Sequence, residues 1–445
     1  MADRRKPAED LDAVLVQPES FAVQRVEDGG EHAAPAAAPA AEQPAVRALA
    51  LVFLAMFQAY ATLQNLQLYL KKEMGVGQQG EAASLFTDAV TMVHVGKLVS
   101  RLAHNVVLAC MSPLARSYLA MAFVLVGTCI PPIFIVGLRL PLFASADGSK
   151  WIGWVFLSYF LNGVGIGIFE ATFLAVITPL GRRTKSFAIL GIPLGFFVIG
   201  VPGFLLLGVG LPPEAVYWWV VACVLAAIVV THRHAPKVEA RGGFAPGEHF
   251  SNPSLVASFL AWRTWLPMLV PHLVGKAFVN FGMENLFPVI LFTFNAEKVP
   301  LLGPTRNEIL LDKNFFQAVQ NAFIFLGDSL SRRVPYFLPT QRYCSSVLII
   351  VAAMICEVVA FLLTKTAVAW VAWLSIFLAF WGNGLVYAIG SKHIDQRVPS
   401  EHHLMAYSSW CFVGDISSVV GAKSQDLVRS WICGGAQFLY ECKAK

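Results

Sequence analysis

The sequence predicts an all-α membrane protein of about 11 transmembrane helices, and three observations carry that expectation. First, the chain of 445 residues is 56% hydrophobic and only 14% charged, where soluble domains carry roughly a quarter charged residues. A water-facing body of this mass needs a charged skin that so few Asp, Glu, Lys and Arg cannot supply, so the apolar surplus faces lipid and a soluble enzyme is excluded. Second, apolar runs of about 20 residues recur with short polar breaks, the length a helix needs to cross the hydrocarbon layer. Third, the ionisable residues inside those runs are few and stand at helical spacing.

Taken in order, residues 1–46 are rich in Ala, Pro and Glu and contain no apolar stretch able to pack, which predicts a disordered tail. The tail has no short apolar core behind a basic start, so the first span is expected to act as the targeting signal. Spans follow at 48–69, 84–110, 117–138, 151–178, 185–209, 214–232, 264–294, 314–335, 344–364, 367–390 and 403–432. The longest break, Thr231 to Arg263, carries Arg233, Pro236, Lys237 and Arg241. It divides an amino-terminal bundle of six helices (47–232) from a carboxyl-terminal bundle of five (264–436), with a linker at 233–263 and a short tail at 437–445. Arg116, Arg182, Arg183, Lys185, Arg332, Arg333 and Arg342 lie in loops on the side of the tail, whereas the opposite loops mix bases with Glu73, Asp147, Glu297 and Asp312. That bias predicts a cytosolic amino terminus.

Two helical bundles joined by a basic loop match the plan of major-facilitator-type carriers, with a solute site between the halves. Charged residues at bilayer depth are costly and are expected to face water or one another. In the second span His94, Lys97, Arg101 and His104 share one helical face, a cationic stripe suited to an anionic or zwitterionic solute, with lipid-headgroup contact the other reading for Arg101 and His104. In the fourth, Asn162 opens a Gly-x-Gly-x-Gly run that ends at Glu170, an acid with no base near it in sequence. Glu170 is therefore either a proton carrier or the partner of Lys97 or Lys276. The seventh span offers Lys276, Asn280 and Glu284, with Lys276 and Glu284 about two turns apart. The eighth carries Gln317, Gln320 and Asn321 ahead of Asp328 and Arg332, which stand at the spacing of an intrahelical ion pair. Asn383 lies in the tenth span, and Ser408 and Asp415 share a face of the eleventh. Gly191, Pro193, Gly195, Gly200, Pro202 and Gly203 predict a bendable fifth helix, or small-residue packing.

The remaining patterns exclude other chemistries. There is no nucleophile elbow, no H-E-x-x-H pair and no phosphate loop ending in Lys-Ser or Lys-Thr, so no catalytic residues and no cofactor are expected. The net charge of +5 is not a nucleic-acid signature. Eight cysteines show no C-x-x-C spacing, which points to neither a disulfide framework nor a metal site.

The stretch Glu170-Ala171-Thr172-Phe173-Leu174 and the group His393-Ile394-Asp395, followed by Glu401-His402, Ala406 and Cys411, resemble the battenin family of lysosomal and vacuolar membrane proteins. Asp328 and Arg332 in the eighth span, with Asn383-Gly384 in the tenth, are also similar to equilibrative nucleoside transporters, although Ser331 stands where that family has glycine. The battenin resemblance implies a secondary transporter at a lysosomal or vacuolar membrane, with phosphodiester or amino-acid solutes and protons as candidate coupling ions. Lys276, where that family tends to carry an acid, departs from the pattern. The expected partners are a small-molecule solute and the lipid bilayer. The alternatives are a nucleoside carrier at the plasma membrane, using Asn162, Gln320 and Asn383, and a scaffold or sensor that transports nothing.

Overall fold

Each apolar run folds as a helix because, in lipid, a backbone N–H or C=O not paired within its own segment has no water to turn to. The computed structural model describes residues 43–77, 81–108, 111–142, 151–177, 180, 182–239, 260–294, 297–302, 309–338, 343–366, 368–399 and 402–433. The first span is α1 (Gln43–Asn65) with the short α2 (Gln67–Glu73), followed by α3 (Glu81–Val107) and α4 (Pro113–Ile130), which continues as a π-helical turn over Pro131–Gly137. Then come α5 (Ile152–Ile177), α6 (Arg182–Val198) with a π-helical turn at Ile199–Gly203 and α7 (Phe204–Gly208), and α8 (Pro213–Glu239). The second half comprises α9 (Trp262–Thr293), α10 (Lys313–Ser331), the single turn α11 (Val334–Phe337), α12 (Tyr343–Thr364), α13 (Ala369–Arg397) and α14 (His403–Cys433). Each expected span thus returns as helix.

Two expectations on extent are corrected. Helix α1 begins at Gln43, inside the expected tail; residues 1–42, like 437–445, lie outside the described residues. The expected linker is helical at both ends, since α8 runs through Pro236 to Glu239 and α9 starts at Trp262. A proline one turn from a helix end removes only one of the last hydrogen bonds, so it marks the end of α8 without breaking it earlier. Between α9 and α10 the chain is not helical: β1 (Lys298–Pro300) and β2 (Leu310–Asp312) pair antiparallel, with Val299 opposite Leu311. A long connection outside the spans needs partners for its backbone, and a hairpin provides them.

Among the described residues seven segments, α1, α4, α5, α6 with α7, α8, α12 and α13, are long and apolar enough to cross a membrane. Helices α3, α9, α10 and α14, of 27, 32, 19 and 31 residues, are also long but more polar. These four carry Lys97, Arg101, Lys276, Glu284, Asp328 and Asp415. The fold turns all six inward: five are buried, and the Lys97 side chain is 12% exposed.

Within the first half α5 packs along α3 and α4, and within the second α9 packs on α14 and α13 on both α10 and α12. Two seams join the halves, α3 against α14 and α6 with its π turn and α7 against α10. The glycines of α5 explain the closeness of its neighbours. A Cβ on Gly163 would lie 2.1 Å from the Val93 carbonyl oxygen of α3, and one on Gly165 would lie 2.7 Å from that of Ala120 on α4. In α6, Gly191 and Gly195 sit against α1, and Gly200 sits against Asn321 of α10, so packing accounts for these three. The helix changes to a π turn at Ile199–Gly203, where Pro202 withholds a backbone donor.

Because the atoms facing Gly163 are backbone and cannot rotate away, Gly163→Ala is expected to lower the unfolding midpoint of the purified protein, at a cost of about 1–3 kcal/mol or more. Gly203→Ala, whose Cβ would meet nothing nearer than 3.9 Å, is the control. Equal midpoints for the two variants would refute the close contact.

Candidate functional site

A Cβ on Gly167 would stand 3.0 Å from the Lys97 Cα, so α5 and α3 are in backbone contact one turn before Glu170. This places Glu170 against the α3 stripe, where Arg101 donates to one carboxylate oxygen and the Tyr387 hydroxyl donates to the other at 3.2 Å. Of the two readings left open for Glu170, a proton carrier or a paired acid, the geometry is that of a paired acid, but its base is Arg101 of α3 in place of Lys97 or Lys276, with a phenol from α13 beside it. Spacing along α5 could not reveal partners that arrive from other helices.

The stripe itself lies on one face, as its spacing predicts, but it meets acid at each step. His94 Nε2 is 3.3 Å from Glu284 of α9, Lys97 Nζ is 2.9 Å from Asp415 of α14, and Arg101 Nε bonds the other Asp415 oxygen. All three contacts cross between the halves, and an exposed Asp88–Lys423 pair extends the α3–α14 seam. The expected attractive stripe is thus corrected to a neutralised seam, because α14 and α5 bring one carboxylate each to its bases. The His104 side chain lies outside the described residues.

On the other side, Arg332 grips Asp328 with two hydrogen bonds, 3.0 Å from Nε and 2.9 Å from Nη2. The Asn383 amide donates to Asp328 Oδ1 at 3.3 Å, and the Arg332 guanidinium lies 4.3 Å from the Tyr387 ring centre. Gly384 brings α13 close enough for this, since a Cβ there would stand 1.9 Å from the Ser331 hydroxyl.

Between these two groups the halves line a partly open cavity. Eight polar residues named from the sequence line it: Lys97, Glu170, Lys276, Asn280, Glu284, Asp328, Arg332 and Asn383. Phe57, Tyr60, Phe196, Phe287, Phe380 and Tyr387 form an aromatic wall around them. Arg101 and Asp415 are buried behind Lys97 and are not part of the lining. Asn162 is also elsewhere, joining α4 to α5 by accepting from Thr128 at 3.2 Å and donating to the Ser158 carbonyl at 3.0 Å. Gln320 is buried on α10 outside the lining, and neither of its carboxamide atoms has a hydrogen-bond partner among the described residues. The polar character of Asn162 and Gln320 suggested a solute contact; helix rotation places both away from the cavity.

One charge in the cavity, Lys276, stands apart from the ion pairs among the described residues. Lys276 Nζ lies over the rings of Tyr387 and Trp410, at 5.3 and 5.0 Å from their centres, and no carboxylate among the described residues is within ion-pair reach of it. Gly414 makes room for its stem, because a Cβ there would stand 2.9 Å from the Lys276 Cε. Glu284 meets His94 as its one ion-pair partner among the described residues. Nearby, Asn280 donates to the Gly414 carbonyl and the Ser418 hydroxyl, while its Oδ1 and Arg332 Nη1 have no hydrogen-bond partner among the described residues. Site residues that the sequence did not single out are His94 as a partner of Glu284, and Tyr387 and Trp410 as the aromatic seat of Lys276. The signal for Glu284 was its spacing from Lys276; an aromatic seat assembled from α13 and α14 left none.

No family model and no curated protein matches the chain by sequence. Solved structures do match. A POT family transporter in complex with 5-aminolevulinic acid superposes with a TM-score of 0.60 at 9% identity, covering 86% of this chain and 90% of that one. A peptide transporter of the POT family in complex with alafosfalin gives 0.59 at 12%, covering 86% and 88%. A D-xylose-proton symporter gives 0.59 at 11%, covering 91% and 99%. These matches do not bear on the battenin or nucleoside-carrier resemblance. They establish for this chain the helical fold of major-facilitator-type transporters, in which two halves face each other across a central site.

Proposed function

We propose that the chain is a secondary carrier for a small zwitterionic organic solute, one bearing an ammonium and a carboxylate or phosphate, at a lysosomal or vacuolar membrane. The observation that carries this reading is the pair of opposite charges on α9, Lys276 without a counter-ion among the described residues and Glu284 held there by His94 alone. Lys276 and Glu284 are eight residues apart, hence about 12 Å along the helix axis, and both line the cavity. A cargo with opposite charges at its two ends satisfies both; a simple anion satisfies one. Arg332 Nη1 and Asn280 Oδ1 supply a further donor and acceptor, and the aromatic wall takes up the apolar body of the cargo.

Binding of such a cargo has a mechanical consequence. Its ammonium competes with His94 for Glu284, and the His94–Glu284 contact joins α3 of one half to α9 of the other. Cargo therefore loosens a tie between the halves, and its differential affinity for the two arrangements drives rocking. Structural neighbours complexed with 5-aminolevulinic acid and with a thioalcohol-conjugated peptide support a cargo with an amino group. The resemblance at Glu170–Leu174 and at His393-Ile394-Asp395 supports the lysosomal or vacuolar location, and the placement of Lys and Arg in the loops supports a cytosolic amino terminus.

A second reading, a nucleoside carrier at the plasma membrane, rests on the Asp328–Arg332–Asn383 group, whose donors and acceptors at the cavity wall suit ribose hydroxyls. Counterflow in proteoliposomes separates the two. Labelled amino-acid, dipeptide or glycerophosphodiester zwitterions are expected to exchange and nucleosides are not; the reverse would establish the second reading, and exchange of neither would favour a scaffold. In the same assay Glu284→Gln is expected to slow uptake of the zwitterion by about tenfold or more, the worth of one charged hydrogen bond. An analogue lacking the amino group should be nearly unaffected.

A further inference from the structure

Glu357 on α12 is fully buried, and neither of its carboxyl oxygens has a hydrogen-bond partner among the described residues. It lies outside the cavity lining, on the far side of α9. Its carboxyl group occupies the gap that Gly282 leaves in α9, where a Cβ would stand 2.0 Å from Oε1. The surroundings are dry. Ala353 and Ala360, on the same face of α12 one turn to either side, belong to apolar clusters with Val279, Leu286, Ile376 and Ala379.

Among the described residues no charge answers it from the helices packed there. Helix α9 presents Gly282, and Glu284, two residues on, points into the cavity from the other side of the same helix. Helix α13 presents Ser375, whose hydroxyl is already spent on Thr364 and the Ala360 carbonyl. On α12 itself the neighbouring titratable group is Cys356, a thiol. An ionised carboxylate in such a place is uncompensated, whereas a protonated one is neutral and becomes a donor to nearby backbone carbonyls.

We propose that Glu357 is a proton-binding site of the carrier, filled while α9 lies against α12 and exchanged with water when α9 moves away. The inference rests on the carrier reading above, because α9 is the element that joins the two events. One face of α9 holds Lys276 and Glu284 toward the cargo; the opposite face holds Gly282 over Glu357. Pro267, Pro271 and Pro288 remove backbone donors along α9 and permit it to flex. When rocking opens the Gly282 gap to water, the carboxyl O–H bond breaks, the proton passes to a water molecule and the carboxylate is hydrated. Before α9 can close again the carboxylate must take a proton from hydronium. If the gap opens toward different compartments in the two arrangements, each cycle moves one proton with the cargo.

The test uses the full chain in proteoliposomes, with labelled 5-aminolevulinic acid, a glycyl dipeptide and glycerophosphocholine as probes. Glu357→Gln keeps the size and neutrality of the protonated acid. Its counterflow, which requires no net proton movement, is expected to match wild type, while accumulation driven by a pH gradient is expected to be lost. Gradient-driven accumulation equal to wild type would overturn the proposal. An independent measurement does not depend on transport: the infrared carboxyl band of a protonated acid is expected in the wild-type protein at neutral pH and should be missing in Glu357→Gln. Absence of that band from wild type would also overturn it. If wild type exchanges none of the probes but shows the band, the carrier reading fails and the proton site stands.

Discussion

Replacing Lys276 by Gln is expected to reduce the transport efficiency for a cargo bearing a carboxylate or phosphate by roughly 10- to 100-fold, the loss of one charge-assisted contact of about 1.5–3 kcal/mol. The same cargo lacking its acidic group should be transported at a nearly unchanged rate, since nothing else in the cavity depends on the ammonium for a partner. The effect on stability should have the opposite sign. A cation buried against rings without a counter-ion is a burden on the resting protein, so the uncharged variant is expected to unfold at the same or a higher temperature. Higher stability with lower activity is the signature of a group kept for its ligand. Equal loss for both cargoes, or a fall in the unfolding midpoint, would show that Lys276 serves the fold.

Asp415→Asn is expected to have the contrary signature. Asp415 is the acid shared by Lys97 and Arg101, and removing its charge leaves two inward-turned bases with Glu170 as the remaining carboxylate of the cluster. Breaking a buried pair by deleting one partner costs about 3–5 kcal/mol, because the other charge is left uncompensated. The purified protein should therefore show a much lower unfolding midpoint. Adding Lys97→Met removes one of the surplus bases and should recover a large part of that loss, with a coupling of about 0.5–3 kcal/mol between the two sites. If the double variant is no more stable than Asp415→Asn alone, the cluster is not a coupled ion network. Since these contacts hold α3 of one half to α14 of the other, the single variant should also shift the balance between carrier arrangements.

The two residues show how far inspection of the chain reaches. Lys276 and Glu284 share one helix, so their eight-residue separation already placed them on related faces, and the cavity bears that out. Asp328 and Arg332 likewise pair at the four-residue spacing that suggested it. Arg101, Glu170 and Asp415 come from three helices, and nothing in their spacing announced the cluster they form. Asn162 and Gln320 mislead for a related reason: whether a polar residue in a greasy span faces the cavity is set by the rotation of its helix, which turns Asn162 to the Thr128 hydroxyl and buries Gln320 outside the lining. Glu357 stands in a span that otherwise reads as plain lipid-crossing helix, and what distinguishes it is Gly282 opposite, on another helix.

By itself the sequence determined that the protein lives in lipid, where its spans run, and which of them are burdened with charge. Those features follow from hydrocarbon thickness and from the cost of an unpaired polar group, both of which act on one helix at a time. Only the tertiary structure decided which charges cancel and which remain unmatched on α9, because ion pairing acts over a few ångströms while neighbouring helix axes stand about 8–10 Å apart. Meeting or missing across that gap depends on where glycines such as Gly163, Gly167, Gly384 and Gly414 let backbones and side chains close in.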